Sequence, residues 1–187
     1  MLSKSNSLIP VYLTFFISRL ILLNKLLDDG NTLYRREKYD DASHRYQYAV
    51  RRVPETFTGM EDTQETFEQL KIHLLLNLSR CRRKQGLYQE AVNKAAEVLI
   101  LKPDSLDALH ARARAHRESG NFRDAVQDLN EALKLSPQNR ELYRMILKVK
   151  EEMSKKSKMN NNNDQPIGVN IDDNLQFVDD SASELGK

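Results

Sequence analysis

The sequence predicts an all-α fold: a right-handed superhelix of three helix–turn–helix repeats closed by a C-terminal capping helix. Three observations predict it. The phrases Tyr39-Asp-Asp-Ala42, Tyr88-Gln-Glu-Ala91 and Phe122-Arg-Asp-Ala125 are each followed, twelve residues after the alanine, by Pro54, Pro103 or Pro137. Ala91 to Ala125 and Pro103 to Pro137 are both 34 residues, the length of a helical hairpin that cannot bury its own apolar face. Small residues Gly30, Ser79 and Ala113 precede the three alanines by twelve, where the two helices of a hairpin cross closely.

Each element follows in order. Residues 1–22 form an apolar N-terminal extension, with Ser7-Leu-Ile-Pro-Val-Tyr-Leu-Thr-Phe-Phe-Ile-Ser18 interrupted by Arg19 before Leu20-Ile-Leu-Leu23. Crossing a bilayer takes about 20 apolar residues, and no small-residue cleavage site follows. Three readings stay open for this run: an irregular extension or extra helix packed on the first repeat, a membrane anchor, and a cleaved signal. The first is favoured. The repeat domain is expected over residues 23–156. Its repeats fall at about 23–56, 72–105 and 106–139, and its capping helix at 140–156.

Within the repeats, Tyr46, Ala95 and Leu129, and then Ala49, Val98 and Ala132, recur on the inner face of each second helix. Gly86 and Gly120 fall where a glycine ends the first helix, and the prolines end the second. Ala42 and Ala91 lie 49 residues apart, so fifteen residues, Phe57 to Lys71, are inserted. Asp62-Thr-Gln-Glu65 reads as a capped helix start, and Phe67, Leu70, Leu74 and Leu78 continue at helical spacing. The expectation is a loop and then a long first helix whose extra turns project beyond the array. After the third repeat, Leu142, Ile146, Val149 and Met153 form the apolar stripe of a cap. Residues 157–187 read as a disordered acidic tail.

Composition excludes more than it proposes. Hydrophobic residues make up 40% and charged residues 30%, a soluble, helix-compatible profile with a net charge of +2. From Met159 onward six carboxylates face one lysine, a net of −5, so the remainder carries +7. The single Cys81 excludes an intrachain disulfide and fits a reducing, cytoplasmic location. It reads as a packing residue, with Arg80, Arg82 and Arg83 keeping a reactive-thiol reading alive. Four histidines stand outside any metal-ligand spacing, and six glycines form no phosphate loop. No catalytic constellation, metal or cofactor is expected.

If the first helix of each repeat lines a concave face, the residues pointing into it are Asn31, Tyr34 and Arg35 from repeat one. His73, Asn77, Arg80, Arg83 and Lys84 follow from repeat two, His110, Arg114 and Arg117 from repeat three, and Arg144 and Lys148 from the cap. Arg80, Arg114 and Lys148 recur at 34-residue spacing and predict a ladder of cations, with Arg83 and Arg117 forming a second. Parallel cations repel one another, and an anionic ligand relieves that repulsion. The competing reading is a solvated face in which Asp104, Asp107, Glu118 and Asp124 pair with these cations. The expected partner is a protein or peptide, acidic in character. Low net charge and the lack of an aromatic stacking series argue against nucleic acid. Membrane contact through residues 1–23 is the less favoured alternative.

These phrases resemble the tetratricopeptide repeat superfamily over residues 23 to about 139. Three repeats and a cap resemble the co-chaperone modules that grip the C-terminal carboxylate of heat-shock chaperones. That resemblance implies a clamp of two asparagines and three cations. The asparagines are present as Asn31 and Asn77, while Leu27, Asp107 and Ala111 occupy the cation positions. A second resemblance is to the repeat region of the TANC / rolling-pebbles scaffold family. It is carried by Tyr39-Asp-Asp-Ala-Ser-His-Arg-Tyr-Gln-Tyr-Ala49, Leu76-Asn-Leu-Ser-Arg-Cys-Arg-Arg-Lys84, Ala111-Arg-Ala-Arg-Ala115 and the segment from Asn139 to Glu152. It implies a cytoplasmic adaptor.

Overall fold

The computed structural model describes residues 8–55 and 61–161, which form seven α-helices and, among the described residues, no strand. They are α1 (Leu8–Arg35), α2 (Tyr39–Val50), α3 (Glu61–Lys84), α4 (Tyr88–Leu101), α5 (Leu106–Glu118), α6 (Phe122–Leu135) and α7 (Arg140–Asn161). Each helix packs on the next in chain order, and α3 also touches both α1 and α5. Short turns make α1 and α2, and then α3 to α7 in succession, antiparallel, and the Phe16–Phe67 and Asn31–Asn77 contacts set α1 parallel to α3, so α1, α3, α5 and α7 share one direction. The odd-numbered helices therefore form one wall of the stack and the even-numbered ones the other.

Small residues set the spacing of this stack. Ala42, Ala91 and Ala125 are fully buried, and a Cβ at Gly30 would stand 2.5 Å from Cε1 of Tyr46. Only glycine admits the Tyr46 ring there. In the second hairpin Ser79 fills the equivalent place, and its hydroxyl donates to the Ala91 carbonyl at 2.8 Å. First helices end on left-handed residues: Gly86 at φ +78° and Gly120 at φ +82°. Glu37 takes the same conformation in repeat one at φ 58°, where an L side chain carries a steric cost of about 1–2 kcal/mol.

Two expectations are corrected together. No boundary falls at residue 22; α1 runs unbroken through it, so the apolar run from Leu8 is the first part of the first repeat's own helix. No helix among the described residues is long and apolar enough to cross a membrane. Nor do the extra turns of α3 project freely. Phe67 is fully buried and meets Phe16 edge-to-face at 5.3 Å between centroids, while Leu20 and Leu23 join Leu70 and Leu74 in one cluster. The extension and the insertion cover each other.

Cys81 lies fully buried in this cluster, and burial pushes its thiol up to about 12 against the opposing effect of Arg82. Burial and the raised pKa both weigh against the reactive-thiol reading, since the thiolate is the reactive form. At the other end, Leu142, Ile146 and Val149 of α7 cover Leu109, Ala113 and Leu129. The cap continues five residues past the expected Lys156, to Asn161. Expectations for residues 1–7, 56–60 and 162–187, including most of the acidic tail, lie outside the described residues.

Candidate peptide-binding groove

The wall made by the odd-numbered helices carries a cleft of about 110 Å³ lined by Tyr34, Ser79, Arg80, Arg83, Asp107, His110, Ala111 and Arg114. Three hairpins contribute to it. Arg80 and Arg114 therefore share one cleft, as their 34-residue spacing implies for parallel helices in register. Five of the expected groove residues meet here: Tyr34, Arg80, Arg83, His110 and Arg114.

A hydrogen-bonded chain borders the cleft. Asn31 Oδ1 accepts from the Tyr46 hydroxyl at 2.8 Å and from Asn77 Nδ2 at 3.0 Å. Asn77 Oδ1 accepts in turn from Arg80 Nη1 at 3.1 Å. Tyr46 is buried and fixed, so it anchors Asn31, and Asn31 orients Asn77 and Arg80. Burial pushes the Tyr46 hydroxyl well above its usual range, which keeps it a donor. Both asparagine amides and one guanidinium are thus held in place before any ligand arrives.

The second cation ladder is corrected. Arg83 Nη1 meets Glu118 Oε1 at 2.5 Å, and Arg117 holds Glu152 through two contacts of 2.7 and 2.6 Å. Both partners lie 35 residues further on, so each pair ties one first helix to the next. The hydrogen bond from Arg117, with burial opposing, holds the Glu152 carboxyl below its usual range. Arg114 and Lys148 make no ion pair among the described residues, and Arg80 bonds only Asn77. The solvated-face reading therefore holds for Arg83 and Arg117, but Asp104 and Asp107 pair with nothing among the described residues.

The remaining expected residues lie apart from the cleft lining. His73 is exposed, as are Arg144 and Lys148 on α7. Arg35 donates to Thr32 Oγ1 at 3.2 Å, and Lys84 Nζ stands 6.0 Å from the Tyr39 ring at the α1–α2 turn. His110 is half-buried with Nε2 3.0 Å from Met145 Sδ. Burial first, then Arg114, lower its pKa, which favours the neutral ring. Ser79 is an unforeseen lining residue. Also unforeseen is Arg112, which grips the buried Asp128 through contacts of 2.6–3.1 Å inside repeat three. That pair is structural: it joins α5 to α6 on the side away from the cleft.

Comparison with known proteins fits this geometry. Residues 27–62 and 106–139 each match a tetratricopeptide repeat family profile. The chain is 28% identical over 144 residues to outer envelope protein 61 of Arabidopsis thaliana, covering 75% of this chain and 24% of that protein. It is 30% identical over 126 residues to aryl-hydrocarbon-interacting protein-like 1 of Bos taurus, covering 66% and 38%. The chain thus spans about a quarter to two fifths of these relatives. Among solved structures, the C-terminal repeat domain of a Plasmodium falciparum FK506-binding protein superposes with a TM-score of 0.65 at 19% identity, over 76% of this chain and 95% of that one. The first repeat domain of Spaghetti (RPAP3), bound to the HSP90 peptide SRMEEVD, superposes with a TM-score of 0.58 at 18% identity, over 71% and 94%. These likenesses give the resemblance to the TANC / rolling-pebbles family no support. Hairpin period, helix order and both profile matches agree that this chain is an all-α stack of tetratricopeptide repeats.

Proposed function

We propose that this chain is a non-catalytic, cytoplasmic protein-interaction module that binds an acidic segment of a partner across the cleft between Arg80 and Arg114. One observation carries the reading. Two guanidinium groups with no ion pair among the described residues share a single cleft, and one is oriented by a part-buried hydrogen-bonded chain through Asn77 and Asn31. Their mutual repulsion is relieved by an anionic ligand, and the planar fork of arginine suits a carboxylate. Charge-assisted hydrogen bonds contribute about 1.5–3 kcal/mol each, and less where exposed.

A second reading, capture of a chaperone C-terminal tail, is favoured by one feature: the Asn31–Asn77 pair is intact and prearranged. Against it, Asp107 lines the cleft where the resembling modules place a cation. The 18% identity to the peptide-bound neighbour carries the fold and not the ligand. Fluorescence anisotropy with labelled SRMEEVD, as free acid and as C-terminal amide, separates the two. The acidic-segment reading expects both forms to bind alike, with Arg80→Glu/Arg114→Glu weakening both by at least about tenfold, a change of about 1.4 kcal/mol. Binding of the free acid alone, lost in Asn77→Ala, replaces this reading with the clamp. No binding of either form at millimolar concentration sinks both.

A further inference from the structure

We infer that the groove has an occupant within this chain: the segment Ile167–Asp180, with Asp172 and Asp173 at the Arg80/Arg114 cleft and Leu175, Phe177 and Val178 on an apolar stripe of α1. This rests on the acidic-ligand reading of the cleft and adds its regulation. Leu13, Ile17 and Ile21 are 46%, 45% and 64% exposed. Together with Asn24, Asp28 and Asn31 they recur at steps of four, four, three, four and three, which is one face of a helix. Asn31 fixes where that face looks, because its side chain bonds Asn77 at the border of the cleft. The groove wall of α1 therefore changes character along its length, from polar at Asn31 to apolar above Ile21.

Length and order both fit. Helix α7 runs parallel to α5, and from Lys148 to its end at Asn161 it carries thirteen residues beyond the level of Arg114, about 20 Å. The eleven residues from there to Asp172 reach up to about 36 Å, enough to return. Continuing toward the start of α1, the segment presents Asp172-Asp173 and then Leu175, Phe177 and Val178. If extended, the four steps from Asp173 to Phe177 would span about 13 Å, against about 15 Å of helix between Asn31 and Ile21. Asp28 interrupts the stripe, and the uncharged Asn174 falls opposite it. Charge complements as well: the segment carries four aspartates and no cation.

The test uses the full chain. Cys81 is fully buried, so a nitroxide maleimide attaches to the thiol of Gln176→Cys alone. Paramagnetic broadening is read at the amides of Ile17, Ile21 and Arg114, with exposed Ile100 on the other wall as reference. The inference expects at least a twofold greater intensity loss at the three groove sites, abolished by Arg80→Glu/Arg114→Glu. It further expects labelled SRMEEVD amide to bind at least threefold tighter once Asp172, Asp173, Asp179 and Asp180 are changed to Asn. Equal broadening at Ile100 and the groove sites overturns it. If the peptide binds while broadening is uniform, only the internal occupant falls. If the peptide fails to bind even the four-Asn variant, the acidic-ligand reading falls as well.

Discussion

The junction between the first two hairpins and the junctions that follow are built from different materials. From α3 onward the first helices are tied by a repeated device, an arginine bonded to a glutamate 35 residues later, seen as Arg83–Glu118 and Arg117–Glu152. Between α1 and α3 no such pair is present among the described residues. That junction rests instead on the Phe16–Phe67 ring contact and on the Tyr46–Asn31–Asn77 chain. The comparison teaches that a periodic stack can absorb a break in its period when two irregular segments bury each other. The N-terminal extension and the insertion would each expose apolar surface alone.

The strongest way to break this comparison is Phe67→Ala. If the α1–α3 junction depends on the paired extra turns, truncating this fully buried ring costs about 3–5 kcal/mol in urea unfolding. A cost below about 1 kcal/mol would mean the extra turns are an appendage. Next in size is Gly30→Ala, whose Cβ would overlap the Tyr46 ring and cost about 1–3 kcal/mol by the same measurement. Unchanged stability would show that the hairpin can spread at that point.

How far the sequence could be read follows the same division. The 34-residue period places α3 to α6 and their glycine ends, because identical local rules repeat at Gly86 and Gly120. What escaped was the pairing of segments about 50 residues apart. Phe16, Leu20 and Leu23 have helical spacing, but apolar runs of that kind also suit membranes and signals, and nothing local selects Phe67 as the partner. In the groove, spacing alone brought Arg80 and Arg114 together. It did not show that Arg83 and Arg117 are ion-paired, because their partners recur at one residue more than the period, a regularity visible only in pairs of opposite charge.

Smaller effects sharpen the contrast. Glu37→Gly should stabilise the chain by about 1 kcal/mol, since it relieves a left-handed residue where the later hairpins already use glycine. Thermal unfolding that leaves the midpoint unmoved would contradict this. The smallest effect concerns acid. The folded-state pKa of His110 is lowered by burial and then by Arg114, so the unfolded chain binds more protons as pH falls below its ordinary value near 6.5. Stability contributed by the neutral ring is present above that value and is lost as pH falls through the folded pKa. The melting midpoint should decline from pH 7 to pH 5.5, and His110→Leu should flatten that decline. An identical slope in the variant would assign the effect elsewhere.

The arginine–glutamate pairs also have a mechanical consequence. Each spans two neighbouring first helices on the inner wall, where a superhelix shortens its distances as it tightens. They act as braces against uncoiling. These contacts are only partly shielded from solvent, so dissolved ions weaken them, with a Debye length near 8 Å at physiological salt and about 3 Å at 1 M. Ionic strength therefore tunes the stiffness of the coil in its C-terminal part, while the aromatic and amide contacts keep the N-terminal part rigid.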